Sequence, residues 1–361
     1  MRVAIIGAGV SGLACAIELE KNGIEPDIFE EKYMIGELFD HCAALLEVIT
    51  KPVGDPLEYL KTDFGLNIKS MQMVNSIHMH GCNVNREIKR NHLGYFFIRG
   101  QSGDSVENQL YRKLNTKVKF DTAADYRDLM DDYDYVVIAT GNNSVSKSVG
   151  CWQDLVDTWV YGSEVIGTFD PSALHMWMDT RYSKSGYAYL APFDSRRATL
   201  ALVIPYISGE EMDYYWEKFW EIANLPYSVV KTFKLDHVSG YVMPMIYKNL
   251  LFIGSAAGGI EPFLGFGQYF ALISGTLAAR AIYKGENYEN SMKQYRDKNM
   301  EMLEFRKALD SLSNEEIDII IRGLSTPFVR KLIYSSDFNI VKYGSLFVKE
   351  LFSRFRVDYR R

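Results

Sequence analysis

Three glycines and one acid open the chain in a pattern that suits phosphate and ribose chemistry. Gly7, Gly9 and Gly12 follow directly on the apolar run Arg2 to Ile6, and Glu30 stands eighteen residues after Gly12. A glycine at the first position permits a tight strand-to-helix turn. The second lets the backbone approach a pyrophosphate, and the third lets helix and strand pack closely. The helix start then offers free N–H groups and a positive dipole end to the phosphates. An acid about twenty residues on accepts hydrogen bonds from ribose hydroxyls. Ser11 within the turn and Glu31 beside Glu30 are counted with this set. The pattern points to a bound dinucleotide and leaves NAD and FAD both open.

The elements that must hold these residues are legible nearby. Arg2 to Ile6 reads as a buried parallel strand, and Leu13 to Asn22 carries apolar residues at helical spacing before Gly23. Glu25 to Phe29 reads as a second strand. Asp134 to Ile138 is another apolar run and ends in Ala139-Thr140-Gly141. A third glycine-rich stretch, from Gly254 through Ser255, Pro262, Gly265, Phe266 and Gly267, precedes a long helix beginning near Gln268. Glycines there let the backbone come close to a flat ring. The start of that helix favours negative charge on the ring's edge.

This last stretch resembles the second FAD signature of flavoproteins like para-hydroxybenzoate hydroxylase, with Ser255 where that family has Asp. The Asp134–Gly141 run resembles the segment that closes the nucleotide domain of glutathione-reductase-like flavoproteins. Over most of its length the chain is similar to the geranylgeranyl reductase family, including the archaeal digeranylgeranylglycerophospholipid reductases. The resemblance is carried by Gly36 to Cys42, Gly94 to Arg99, Gly186 to Pro192, Ser274-Gly275 and Leu312 to Asp318. Tyr189 stands where that family has Trp, and Leu190-Ala191 interrupt its aromatic segment.

The resemblance implies FAD as cofactor, with Arg99 leading into a FAD-contacting helix and Pro262 along the ring face. It further implies hydride transfer to isolated C=C bonds of an isoprenoid or other lipid, in an apolar cavity. Cys42 is then a candidate proton donor or gate, and Tyr187 and Tyr189 are candidates for the cavity wall. The electron donor would be ferredoxin or NAD(P)H, since no second dinucleotide fingerprint is visible. Two other readings stand beside this one: an aromatic monooxygenase using NAD(P)H and O2, and a flavin-binding protein without catalysis.

The expected fold class is α/β. A Rossmann-like FAD-binding domain of the glutathione-reductase/para-hydroxybenzoate-hydroxylase type is formed by residues 1–65, 95–150 and 245–290. An inserted substrate domain of antiparallel sheet comprises 66–94 and 151–244, and helices follow over 291–361. The run Met212 to Ala223 has aromatics at helical spacing and predicts a helix packed on that sheet.

Composition sets limits on function. The chain has 361 residues, 47% hydrophobic and 24% charged, with a net charge of −6. That size suits two domains, and the acidic balance argues against a nucleic-acid partner. No eighteen-residue apolar window is present, so no membrane span is expected. The first strand begins at the first residues, which leaves no room for a leader and predicts a cytoplasmic protein. Cys15, Cys42, Cys82 and Cys151 show no paired spacing. His78, His80 and Cys82 alternate along one face of a predicted strand and could ligate a metal, but no fourth ligand is evident and none is expected. Residues 342–361 carry six Lys and Arg against two acids, interleaved with Leu and Phe. Such a segment suits a peripheral contact with an anionic membrane.

Overall fold

A computed structural model of the chain describes residues 1–334, 339 and 341–344. The segment 345–361, which holds most of the basic amphipathic tail, lies outside the described residues. Two sheets organise the rest. The first has six strands in the order Ile246–Tyr247, Leu250–Phe252, Tyr135–Ile138, Val3–Ile6, Asp27–Phe29 and Val118–Lys119. All neighbours are parallel except the first pair. Its central strands are apolar along their whole length because helices cover both faces. Val3–Ile6 and Leu250–Phe252 are buried at every residue. This is the mixed α/β, Rossmann-like architecture that the glycine pattern predicts.

Helix Val10–Lys21 is buried at ten consecutive positions, Val10 to Leu19. It lies against helix Gln268–Lys284, itself buried along most of its length. The segment 36–40 is tied to the strand end beyond Arg99, where Asp40 accepts from the N–H groups of Gln101 and Ser102.

The second sheet has eight strands in the order Ser228–Val242, Trp152–Ile166, Arg197–Pro205, Tyr187–Pro192, Ala173–Trp177, Gln72–His80, Asn85–Arg99 and His41–Leu46. It is antiparallel except where Gln72–His80 meets Ala173–Trp177. Its membership departs from the expected partition, because His41–Leu46 and Tyr95–Arg99 sit here and not in the nucleotide-binding sheet. The physical reason is the fifteen-residue strand Asn85–Arg99. One edge pairs with Gln72–His80 from Asn85 to Phe96, and the other edge pairs with His41–Leu46 from Gly94 to Arg99. Gly94 lets the second partner approach closely at the point where it joins. It has φ 153°, and a β-carbon there would lie 2.3 Å from the Leu45 carbonyl oxygen.

Helix Met212–Ala223 packs on the second sheet, with Trp216 stacked on Tyr161 at a centroid distance of 4.4 Å and Phe219 fully buried. Helices Tyr288–Asp310, Asn314–Leu324 and Pro327–Tyr334 follow. Ser313 and Glu316 form a capping box that starts the second of these.

His78, His80 and Cys82 do not converge. His78 and His80 stack on either side of His175, at 4.5 and 5.5 Å, and His80 also stacks on Trp177. Cys82 falls in the turn after the strand, near Asp179 and Arg181. Among the described residues, the group with metal-ligand spacing is instead Glu47, Asp55 and His92. Its members already bind one another and their neighbours, although His92 Nε2 is buried without a partner. His92 Nδ1 lies 2.5 Å from Glu47, and Asp55 caps helix Pro56–Phe64 while accepting from Tyr95. Among the described residues, no helix is long and apolar enough to cross a membrane.

Candidate active site

The site begins at the first strand–helix turn. Gly7 has φ 105°, and a β-carbon on it would stand 2.3 Å from the Ala139 carbonyl oxygen. At Gly12 a β-carbon would stand 2.1 Å from the Gly7 carbonyl oxygen. Both glycines are therefore required by the packing of strand, helix and the 139–141 segment. Gly9 differs, since nothing lies within 4 Å of where its β-carbon would be. Packing does not ask for a glycine there, and the backbone at Gly9 is open to close approach. Gly9 caps helix Val10–Lys21 without a side-chain hydrogen bond, and no acid occupies the first turn. The free N–H groups and dipole suit a phosphate anion.

Glu30 is 7% exposed. One of its carboxylate oxygens accepts from the Ala8 N–H at 2.8 Å and the other from the Lys32 N–H at 3.0 Å. Each oxygen retains capacity for a further donor, so the acid can fix the glycine turn and still receive a ribose hydroxyl. Glu31 is exposed and does not join this site. Thr140 and Gly141 lie beside the turn, with the Thr140 hydroxyl donating to the Asn142 carbonyl at 3.3 Å.

The second glycine stretch starts under the same helix. The Gly254 N–H donates to Ser274 Oγ at 2.9 Å, and Ser11 Oγ would lie 2.5 Å from a β-carbon at Gly254. Ser255 is half-buried within the short helical turn Gly254–Ala257, and its hydroxyl makes no hydrogen bond among the described residues.

Beyond it the loop is organised by a residue the glycine pattern did not reveal. Glu261, 4% exposed, accepts from the N–H groups of Phe263 at 2.7 Å, Leu264 at 2.8 Å and Phe266 at 3.2 Å. Burial pushes its carboxyl pKa up, against those N–H groups and the Arg306 guanidinium, which hold it down. Arg306, 3% exposed, donates to the carbonyls of Phe263 and Ser185 and to Asp310. The sequence signal was an acid beside Pro262 in an otherwise apolar loop.

Helix Gln268–Lys284 starts at Gly267 with no side-chain cap and no acid in its first turn. Gln268 Oε1 and the Tyr269 hydroxyl are buried without partners. Buried polar atoms are normally paired, and these stand at the mouth of an uncapped helix. A flavin dinucleotide fits this donor set: a phosphate group at the first helix, a ribose at Glu30, and a ring at the 262–268 segment.

Arg99 is not a free cation. Its Nε donates to Glu107 at 2.5 Å, and Glu107 is 1% exposed with its second oxygen unpartnered. Glu107 lies in helix Val106–Tyr111, so the pair ties the end of the second sheet to the helix that the resemblance places near FAD.

The three proposed reaction residues converge with the loop. The Tyr187 hydroxyl donates to the Leu264 carbonyl. Its ring lies 6.3 Å from that of Tyr189, centroid to centroid. Cys42 and Tyr189 share an apolar cluster with Phe263 and Phe266. Cys42 is fully buried. Its N–H donates to Thr199 Oγ1 at 2.7 Å and its thiol to the Pro192 carbonyl at 3.5 Å. Burial pushes the thiol pKa far up, so Cys42 keeps its proton at neutral pH. The half-buried Cys82 is therefore expected to react first with a maleimide, and Cys42 at least tenfold more slowly until the protein is unfolded. Peptide mapping of the labelled protein reads this order, and equal rates would show that the Cys42 environment is open.

Two histidines went unremarked in the sequence. His41, next to Cys42, is pulled down to about 3 by burial, with Arg99 and His237 adding to it. His237 has its ring 3.0 Å from where a Gly265 β-carbon would be, and burial lowers it to about 4. Both are neutral at pH 7.

The fold finds counterparts among known proteins. The family model described as pyridine nucleotide-disulphide oxidoreductase matches residues 1–155. Digeranylgeranylglycerophospholipid reductase 2 of Methanothermobacter thermautotrophicus is 31% identical over 176 residues, 45% of this chain and 46% of the relative. The corresponding reductase of Methanocaldococcus jannaschii is 34% identical over 126 residues, 29% of this chain and 32% of the relative. The chain thus spans less than half the length of the curated relatives it matches. A solved structure described as geranylgeranyl bacteriochlorophyll reductase-like, from Thermoplasma acidophilum, superposes with a TM-score of 0.72 at 16% identity, covering 96% of this chain and 98% of that one. The chain therefore has the fold of that geranylgeranyl bacteriochlorophyll reductase-like structure. A flavin-dependent brominase triple mutant shares it at a TM-score of 0.68 and 14% identity, with 98% of each chain covered. The brominase is described as flavin-dependent, and the donor set assembled above fits the same kind of cofactor.

Proposed function

We propose that the protein is an FAD-dependent reductase that saturates C=C bonds of an isoprenoid or similar lipid. The observation that carries this reading is the direct bond between the two halves of the site. Tyr187, on a strand of the second sheet, donates to the loop at Leu264, and the apolar group of Cys42, Tyr189, Phe263 and Phe266 lies at the same junction. The partial matches to digeranylgeranylglycerophospholipid reductases support an isoprenoid chain as the class of substrate.

Reduced FAD, when bound, supplies the hydride. The chain's own residues have three tasks. Glu30 and the first helix hold the dinucleotide, and the 261–267 loop orients its ring. Phe263, Phe266 and Tyr189 exclude water and give an unpolarised alkene an apolar contact, which matters because positioning must do most of the work on such a bond. Burial raises the Tyr189 phenol above its ordinary pKa, so it holds its proton at Oη, and Cys42 holds one at Sγ. The Tyr189 hydroxyl has no partner among the described residues, whereas the Cys42 thiol is committed to Pro192. Tyr189 is thus the better placed of the two to give up a proton, and Cys42 packs the wall.

The proposal includes an electron donor of the ferredoxin or NAD(P)H type and peripheral membrane contact through the basic tail during lipid uptake. Extraction of the purified protein tests it. Mass spectrometry is expected to identify FAD together with a polyprenyl lipid. A site that yields flavin but accepts only small aromatic compounds would instead favour a monooxygenase.

A further inference from the structure

The charge of Glu261 has no task in the reaction just described, yet this is among the most enclosed charged groups near the site. Its carboxylate receives three backbone N–H groups from the four-residue stretch Phe263 to Phe266, and Arg306 reaches the same stretch at the Phe263 carbonyl. The two side chains arrive from different directions, Glu261 from within the loop and Arg306 from helix Tyr288–Asp310. Arg306 also binds Ser185, next to the strand that carries Tyr187. A buried charge costs free energy that an apolar residue would not. An amide side chain could accept from these N–H groups without a charge, so the charges ask for a role of their own.

We propose that Glu261 and Arg306 are positioning residues that fix the shape of the 261–267 loop and, through their opposite charges, set the reduction potential of the flavin it carries. The inference rests on the reading above that FAD sits at this loop. A fixed negative charge beside the ring opposes the arrival of electrons, and a fixed positive charge favours it. In a poorly solvated site such charges act with little screening.

The test uses the full-length protein with FAD bound, its flavin equilibrated against a reference dye under anaerobic conditions. Glu261→Gln keeps a carbonyl acceptor for the loop but removes the charge. It is expected to shift the ratio of reduced to oxidised flavin at least tenfold toward reduced, about 30 mV for a two-electron couple. Arg306→Gln is expected to shift it toward oxidised, and Glu261→Asp to stay within twofold of wild type. Flavin bound in full with both glutamine variants within twofold of wild type would overturn the proposal. So would shifts of the same sign, which report a loosened loop and not a charge. Should Glu261→Gln fail to fold, the sign for Arg306→Gln decides. A wild-type protein that takes up no flavin would instead sink the cofactor reading, an outcome distinct from these.

Discussion

Gly12→Ala is expected to destabilise the protein by about 3 kcal/mol or more and to abolish FAD binding, whereas Gly9→Ala should leave stability within about 1 kcal/mol of wild type and still weaken FAD at least tenfold. The two glycines belong to one fingerprint but answer to different constraints. A β-carbon at Gly12 meets a backbone carbonyl at 2.1 Å, and backbone cannot swing aside as a side chain can. Strand and helix would have to part. A β-carbon at Gly9 meets no atom of the chain, and the backbone there, φ −77° and ψ −175°, is one that alanine adopts freely. Only a ligand at the helix start would feel the new methyl group. Urea unfolding of both variants, with FAD titration followed by flavin fluorescence, separates the effects. If Gly9→Ala binds FAD as tightly as wild type, the phosphate does not sit where the glycine pattern puts it.

Acid should cost the protein about 3 kcal/mol of stability between pH 7 and pH 4.5, and histidines are the cause. His41 is lowered to about 3, and His175 and His237 to about 4, in each case mainly by burial. An unfolded histidine titrates near 6.5. Below that value the unfolded chain binds protons that the folded chain refuses, so stability falls as pH falls toward the folded pKa values. Two pH units below 6.5 correspond to at most about 2.7 kcal/mol per group. These side chains are only partly enclosed, which lowers the figure to about 1 kcal/mol each. Carboxylates held low by their partners, such as Asp27, Asp55 and Asp179, lose their contribution mainly below this window. Urea unfolding at pH 7 and pH 4.5 measures the difference. His175→Asn, in the stack far along the second sheet, is expected to recover about 1 kcal/mol at pH 4.5. A stability that does not change across this range would contradict the burial assigned to all three rings.

Which parts of this molecule could be read from its sequence follows from how local each constraint is. Gly7 to Gly12 and Glu30 are joined by one helix and one short strand, so their spacing alone predicted that they meet at one turn. The 254–267 stretch was legible for the same reason. Sheet membership was not: whether His41–Leu46 and Tyr95–Arg99 pair with the first or second sheet depends on long-range register, and nothing near Cys42 signals that Arg99 stands opposite His41. Charge pairing was hidden likewise. Arg99 reads as a ligand contact until Glu107 is seen against it, and Glu261 reads as an ordinary loop acid until three N–H groups are found to converge on it. Glu31 shows the limit of adjacency as a guide, since neighbouring residues in a strand end face opposite ways and only Glu30 turns inward.

The glycine loop and the second sheet meet where Tyr187 bonds to Leu264, beside the apolar cluster of Cys42, Tyr189, Phe263 and Phe266. The central claim is that reduced flavin at this junction spends its electrons on an alkene. The direct measurement is a single-turnover experiment without oxygen. FAD on the protein is reduced with dithionite, a geranylgeranyl-bearing phospholipid is added in detergent, flavin absorbance is followed, and the lipid is then weighed by mass spectrometry. The account predicts that the flavin reoxidises only when the lipid is present and that the lipid gains two hydrogens for each flavin reoxidised. A flavin that stays reduced beside the lipid, yet reoxidises with oxygen while an aromatic compound gains an oxygen atom, would contradict it.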